Sequence, residues 1–161
     1  MLNYYRLKIS LIESHAVPIS QLHRIIEISG NATFANLHEL IFEAFDRREP
    51  CLYKFMLTRR EATNRRILYQ CNEEVICNHK NMISSLPEEE RPVQHNAETF
   101  TLDEVAFQEK DFFYYWFDFI DDWIHRIKIE KILQDESPAA ENPETWRGII
   151  LKKVGDSPAQ Y

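Results

Sequence analysis

The sequence predicts an α+β fold: a mostly antiparallel sheet, one main helix packed on one face of that sheet, and a short second helix. Several segments alternate apolar and polar residues, which is the pattern of half-buried strands. One longer segment repeats its apolar residues at helical spacing instead. The opening order of two strands, a helix and a strand is compatible with a helix lying across an antiparallel sheet. A β-grasp-like arrangement is therefore one candidate.

The N-terminal segment supplies the first two predicted strands. Residues 4–12, "YYRLKISLI", place Arg6, Lys8 and Ser10 on one face of a strand. The opposite, apolar face consists of Tyr5, Leu7, Ile9 and Leu11. After a turn in "ESHAVPIS", residues 22–29 ("LHRIIEIS") predict a second strand that pairs with the first as a hairpin.

The main helix is predicted in "GNATFANLHELIFEAFD", where Thr33 or Asn31 can cap the first turn. Its apolar residues recur at helical spacing and are Phe34, Leu37, Ile41, Ala44 and Phe45. Residues 51–57, "CLYKFML", then predict a third strand.

The pattern is weaker between residues 58 and 99. There "ILYQC" and "EVIC" are candidates for short strands, and "SLPEEERP" is typical of a loop. "TLDEVA" begins with Thr101 and places Glu104 three residues later, which is the capping box of a short helix.

The most unusual segment is "FFYYWFDFIDDWIHRIKIEKIL", residues 112–133, which combines many aromatic residues with three aspartates and a histidine. It predicts two strands around a turn at residues 119–122. The Pro- and acid-rich residues 135–145 predict a loop, and the tail has room for one more short element.

Composition bounds the class of protein. A chain of 161 residues fits one domain, which we place at residues 1–161. The three glycines, Gly30, Gly148 and Gly155, are not spaced to form the Gly-rich loops that cradle nucleotide phosphates. The formal net charge of −7 repels phosphate backbones and disfavours a nucleic-acid partner.

The sequence predicts a cytoplasmic location. The N-terminal "MLNYYRLKISLIES" carries charges and no small-residue cleavage site, so it does not resemble a signal peptide. No apolar run reaches membrane-spanning length, and a membrane partner is not expected. An odd number of cysteines, three, without an export signal indicates reduced thiols.

Two histidines are predicted to face the core from separate elements. In a strand "WIHRIKIEKI", Trp123 and His125 point to the apolar side with Ile127 and Ile129, while Glu130 points to the other side. His38 falls within the apolar arc of the main helix.

Two interpretations of this pattern remain open. In the functional one, His38 and His125 meet and, with Asp118 or Asp121, bind zinc, iron or manganese or relay a proton. In the structural one, each histidine makes one hydrogen bond at the core edge, Asp118 braces the turn, and Asp121 lies in solvent with Asp122. Single histidines on apolar faces are usually structural, and the structural interpretation is favoured. Trp123 and Tyr115 are predicted to be core residues.

Other sites are less well supported. "DFIDDW" does not supply the calcium-binding pattern of an EF-hand. Cys51, Cys71, Cys77 and His79 could form a zinc site, but their spacing is not that of a standard zinc knuckle. A basic cluster at Arg59, Arg60, Arg65 and Arg66 is typical of a solvated loop.

These segments resemble the plasmid pRiA4b ORF-3-like family, prokaryotic proteins of which some are passengers of an insertion element. "TFANLHELIFEAF" is similar to the family's T-L-x-x-L-H-x-x-I-x-x-A-F, with His38 at the family's histidine. "YWFDFIDDWIHRIKIEKI" is similar to Y-x-Y-D-F-G-D-x-W-x-H-x-I-x-x-E. The positions that match there are Tyr115, Asp118, Asp121, Trp123, His125 and Glu130. "YYRLKISL", "LYKF" and "VGDSPAQY" also resemble family segments, whereas about residues 58–100 are unmatched.

Two departures from the family pattern stand out. Ile120 occupies the position of a glycine, so the hairpin tip is expected to be built differently. After the main helix, Asp46 and Arg47 replace a Gly-Trp pair. The resemblance implies an α+β fold and no particular activity.

The resulting hypothesis is a binding or interaction module without catalysis, whose partner is a protein or a small ligand. The alternative is a metal-dependent hydrolase that uses His38, Asp118, Asp121 and His125. A weaker third hypothesis is a nucleic-acid accessory factor that uses the arginine cluster. The candidate site residues are His38, Asp118, Asp121, Trp123, His125 and Glu130. No cofactor is the favoured expectation, and a divalent metal is the alternative.

Overall fold

The computed structural model describes residues 2–13, 22–77, 86–119, 122–135 and 145–157. These residues contain eight strands that form one mixed β-sheet. The strands are β1 (Leu2–Glu13), β2 (His23–Ser29), β3 (Tyr53–Met56), β4 (Glu73–Ile76), β5 (Val93–Asn96), β6 (Phe112–Phe117), β7 (Trp123–Asp135) and β8 (Gly148–Val154). Their order across the sheet is β5-β4-β3-β6-β7-β1-β2-β8. Neighbouring strands are antiparallel except for the parallel pair β4 and β5.

The predicted fold class is wrong. The fold is dominated by a large mixed sheet, not by one main helix on a mostly antiparallel or β-grasp-like sheet. The α-helices in the described residues are short: α1 (Phe34–Ala44), α2 (Arg65–Tyr69) and α3 (Leu102–Val105). The error arose because β5 lacks a clean apolar–polar alternation and was not predicted, while the tail that forms β8 was expected to hold only one more short element. No local sequence pattern predicts the parallel pairing of β4 with β5 either.

The centre of the sheet follows the predicted hairpins. β1 pairs with β2, and β6 pairs with β7, both antiparallel. β1 also pairs with β7 along most of its length, with Lys8 opposite Lys128 and Ser10 opposite Arg126. The predicted apolar face of β1 is buried throughout. Alternation therefore identified the buried face correctly wherever a strand is long.

Helix α1 lies on the apolar face of the sheet and forms the main core with it. Thr33 caps the helix by accepting a hydrogen bond from the Asn36 N–H at 3.1 Å, and the Asn36 side chain accepts one from the Thr33 N–H at 2.9 Å. This reciprocal capping stabilises the first turn. Phe34, Leu37 and Ile41 are each fully buried in the resulting cluster. The capping box predicted at Thr101 and Glu104 is also confirmed, as the start of α3.

The opposite face of the sheet is covered only in part. A small cluster of Met56, Leu68, Tyr114 and Ile124 forms where α2 packs on it. The prediction of a strand in "ILYQC" is wrong, because Asn64 caps a helical turn there by accepting from the Ile67 N–H at 3.2 Å. Away from this cluster, the polar side chains of β1 and β7 are half-buried.

None of the helices in the described residues is both long enough and apolar enough to cross a lipid bilayer. The cytoplasmic location and the single domain stay predictions.

Candidate functional site

The sheet brings the two predicted histidines to the same face. His125 on β7 lies opposite Tyr115 on β6, and His38 reaches the same tyrosine from α1. Tyr115 contacts both rings, with centroid distances of 5.8 Å to His38 and 5.0 Å to His125. Both histidines therefore pack against Tyr115 and belong to one aromatic cluster.

His125 is fully buried, and both of its ring nitrogens make hydrogen bonds within the fold. Nδ1 donates to the Tyr115 carbonyl at 3.1 Å, and Nε2 accepts from Arg47 Nη2 at 2.6 Å. A carbonyl only accepts and a guanidinium only donates, so the ring proton is on Nδ1. Burial, with the adjacent Arg47 charge, lowers the pKa of His125 well below its usual range. The imidazole is therefore neutral and has no lone pair left for a metal.

His38 is half-buried and is held by two tyrosines. Its Nδ1 lies 2.5 Å from the Tyr115 hydroxyl, and its ring stacks on Tyr53 with a centroid distance of 3.7 Å. Burial and then the charge of Arg47 lower the pKa of His38 to about 4. Burial also raises the pKa of Tyr115 well above its usual value. Both groups are therefore uncharged at neutral pH.

Arg47 is the residue of this cluster that the sequence did not single out as functional. It is buried, and its Cζ lies 4.9 Å from the ring centroid of Phe117 and 5.1 Å from those of Phe45 and Trp123. Such contacts are favourable cation–π geometry. The planar guanidinium thus stands among aromatic rings at the position where the family pattern has a tryptophan. The replacement of the family's tryptophan by Arg47 was the one feature of the sequence that could have marked this residue.

Asp46 stands where the family pattern has a glycine. Its φ is +55°, in the left-handed region that glycine adopts without strain. The family's glycine at this position is therefore consistent with the backbone seen here, and aspartate is among the residues that tolerate this region best.

Among the described residues, Asp118 and Glu130 form no metal-binding group with the two histidines. Asp118 is buried and begins the hairpin turn, where its carbonyl accepts from the Asp122 N–H at 2.7 Å. Trp123 is 1% exposed and lies in the core, as predicted, and Tyr115 is also buried. Glu130 lies on the opposite face of the sheet.

No metal centre is assembled in the part of the chain that the structure describes. Within those residues, no three His, Cys, Asp or Glu side chains are grouped closely enough to hold a metal ion. Asp121, Ile120 and His79 lie outside the described residues. The metal hypothesis therefore stays a prediction, and the cysteines Cys51, Cys71 and Cys77 form no disulfide.

The less covered face of the sheet carries a groove. One cleft of about 520 Å³ and a second of about 320 Å³ share Lys8, Ser10 and Arg126. Because these clefts share residues of β1 and β7, we treat them as one groove across the sheet, called the sheet groove below. Its further lining residues include His23, Glu61, Phe112, Lys128 and Glu130. Of these residues, the sequence singled out only Glu130 as a candidate site residue, because it could not reveal that β1 and β7 are neighbours.

The buried histidines predict an acid-sensitive fold. In the unfolded chain a histidine binds its proton near pH 6.5, whereas folded His38 does so only near pH 4. Between these values the unfolded state binds more protons, so the free energy of unfolding falls as the pH falls. The contribution of His38 to the free energy of unfolding is fully present above about pH 6.5, and that of His125 changes with pH in the same direction.

We expect urea unfolding to show this loss between about pH 6.5 and pH 4, and His38→Gln to make the loss smaller. Leu40→Val is the matched control, since it destabilises the same helix without removing a titrating group. An unchanged pH slope in His38→Gln would contradict the assignment.

Comparison with known proteins supports the relationship suggested by the motifs. The family model described as plasmid pRiA4b ORF-3-like protein matches residues 3–153. A crystal structure of MM3350 from Methanosarcina mazei Go1, described as a protein of unknown function, is similar to this fold with a TM-score of 0.65. The two sequences are 18% identical, and the match covers 99% of this chain and 74% of the other. No curated protein matches the chain.

Proposed function

We propose, from the premise that this chain belongs to the plasmid pRiA4b ORF-3-like protein family, that it is a binding module without catalysis whose ligand lies in the sheet groove. The observation that carries the proposal is the groove itself. It combines residues of three neighbouring strands, β2, β1 and β7, in a cleft of about 520 Å³. Clefts of this size are typical of small-ligand sites.

The geometry of the histidines supports a structural role for them. Both ring nitrogens of His125 are used by Tyr115 and Arg47, and His38 is stacked between aromatic neighbours. A general base must reach a substrate proton, directly or through one water. A fully buried imidazole with both nitrogens occupied does not offer that reach.

The alternative is a metal-dependent hydrolase that uses His38, Asp118, Asp121 and His125. It requires His125 to give up the hydrogen bond from Arg47, because a metal needs the Nε2 lone pair. The two functions therefore differ in where a ligand binds and in which residues are needed.

The test combines metal analysis with binding-site mapping. Elemental analysis of the untagged protein is expected to show no stoichiometric zinc, iron or manganese, for the wild type and for His125→Gln alike. Amide chemical shifts recorded with a panel of small metabolites are expected to show saturable changes clustered around Lys8, Arg126 and Lys128. His38→Gln is the matched control and is expected to retain this binding.

A stoichiometric metal that His125→Gln loses would contradict the proposal and favour the hydrolase. Shift changes clustered around His38 and Tyr115, with none in the sheet groove, would also contradict it.

A further inference from the structure

We infer that the sheet groove binds a small phosphate-bearing molecule of mononucleotide size, with its phosphate on Lys8, Arg126 and Lys128 and its ring against Phe112. The inference rests on the proposed function and names the class of ligand for the same groove. It starts from the distribution of charge on one face of a chain whose formal net charge is −7.

Two lysines lie directly opposite each other in the groove. Lys8 of β1 pairs in register with Lys128 of β7, so their side chains leave the same face as nearest neighbours. Like charges in such positions repel each other. Within the described residues neither lysine forms an ion pair, and the one contact of the Lys128 ammonium is with the ring of Phe112 at 5.9 Å. An anion between the two ammonium groups would remove this repulsion.

Arg126 is the third cation of the groove and lies on β7, two residues before Lys128. It lies opposite Ser10 on β1, and both residues line the two clefts together with Lys8. Its guanidinium contacts Glu61 at 3.2 Å, with both side chains more than a third exposed. Exposed ion pairs of this kind contribute little, so Arg126 can exchange Glu61 for a phosphate oxygen.

The acidic residues of the groove limit the size of the anion. Glu61 and Glu130 line the smaller cleft beside the three cations. A long polyanion would meet these carboxylates, whereas one phosphate group contacts only the cations. The charge pattern therefore favours a single phosphorylated molecule over an oligonucleotide.

The groove also offers an aromatic surface at one end. Phe112 of β6 lies opposite Lys128 and lines the smaller cleft, and it is half-buried. The midpoint between β1 and β7 lies about 7 Å from β6 at the usual strand spacing. This length holds a phosphate over β1 and β7 and a ring on Phe112, since aromatic side chains stack on bases of any sequence.

The test is isothermal titration calorimetry at low salt with ADP, pyrophosphate and adenosine as probes. We expect saturable binding of ADP and weaker binding of pyrophosphate and adenosine. Lys8→Ala and Lys128→Ala are each expected to weaken ADP binding about tenfold, since each removes one charge-assisted contact. Phe112→Leu is expected to weaken the binding of ADP and leave that of pyrophosphate unchanged.

Two further variants serve as matched controls. Glu130→Gln removes a carboxylate from the groove and is expected to strengthen ADP binding. Lys153→Ala is expected to leave it unchanged, because Lys153 pairs with Asp46 outside the groove. Circular dichroism verifies that each variant is folded.

The remaining outcomes separate this inference from the proposed function. Absence of saturable ADP binding, or binding that the lysine variants do not change, would overturn the ligand class. The binding module would still stand if an uncharged metabolite shifted amides in the groove. Tighter binding of a single-stranded oligonucleotide than of ADP would overturn the size argument. Metal-dependent hydrolysis of ADP that requires His125 would overturn both.

Discussion

Replacing Trp123 with alanine is expected to lower the free energy of unfolding by about 3–5 kcal/mol, the usual cost of removing a large buried aromatic side chain. Trp123 is 1% exposed and begins β7 opposite Phe117. The substitution would remove packing from the main core and one of the three rings around Arg47. Urea unfolding followed by far-UV circular dichroism measures the change.

Trp123→Phe is the matched variant for this experiment. Among the described residues no group accepts a hydrogen bond from the buried Trp123 Nε1, so phenylalanine loses packing volume and no hydrogen bond. We expect it to cost clearly less than alanine. Equal losses in the two variants would show that the indole makes an essential polar contact.

Replacing Arg47 with alanine is expected to cost about 2–4 kcal/mol, because it leaves the buried Nε2 of His125 without its donor and opens a space among three rings. The substitution also has an electrostatic signature. The charge of Arg47 helps to lower the pKa of both His38 and His125, so both pKa values are expected to rise. Urea unfolding gives the first effect, and a histidine titration by NMR gives the second.

Arg59→Ala is a suitable control for the loss of an arginine. Arg59 is exposed, pairs with Glu73 at 3.1 Å and donates to the Val105 carbonyl at 3.0 Å, so its removal is expected to cost less than that of the buried Arg47. The double change Asp46→Gly with Arg47→Trp restores the family's pair. We expect it to be more stable than Arg47→Ala, since glycine relieves the positive φ at residue 46 and the indole refills the space. Unchanged histidine pKa values in Arg47→Ala would contradict the assigned contacts.

The longer elements could be predicted because their own residues determine them. β1 alternates over residues 5–11, α1 has both a cap and an apolar stripe, and the aromatic run identifies the β6–β7 hairpin. β4 is also found, because its apolar residues are consecutive. In contrast, β5 has the sequence "VQHN" and relies on its parallel neighbour, which tertiary structure supplies and local pattern does not.

The candidate sites show the same limit. The sequence placed His125 on the apolar face and Trp123 in the core, and these placements are confirmed. It could not show that Arg47 would bind the free nitrogen of His125, since an arginine after a helix usually lies in solvent. Nor could it place Lys8 beside Lys128, because almost the whole chain separates them. Contacts between distant strands are fixed by the order of the sheet.

That order has a consequence for how the chain folds. β1 is enclosed between β2, which follows it closely, and β7, which begins 110 residues after β1 ends at Glu13. During synthesis, one hydrogen-bonding edge of β1 therefore stays unpaired until β7 has been made. Folds that depend on such remote partners form slowly, and their incomplete chains expose edges that associate with one another. We expect slow refolding from urea, and we expect fragments that stop before residue 123 to aggregate.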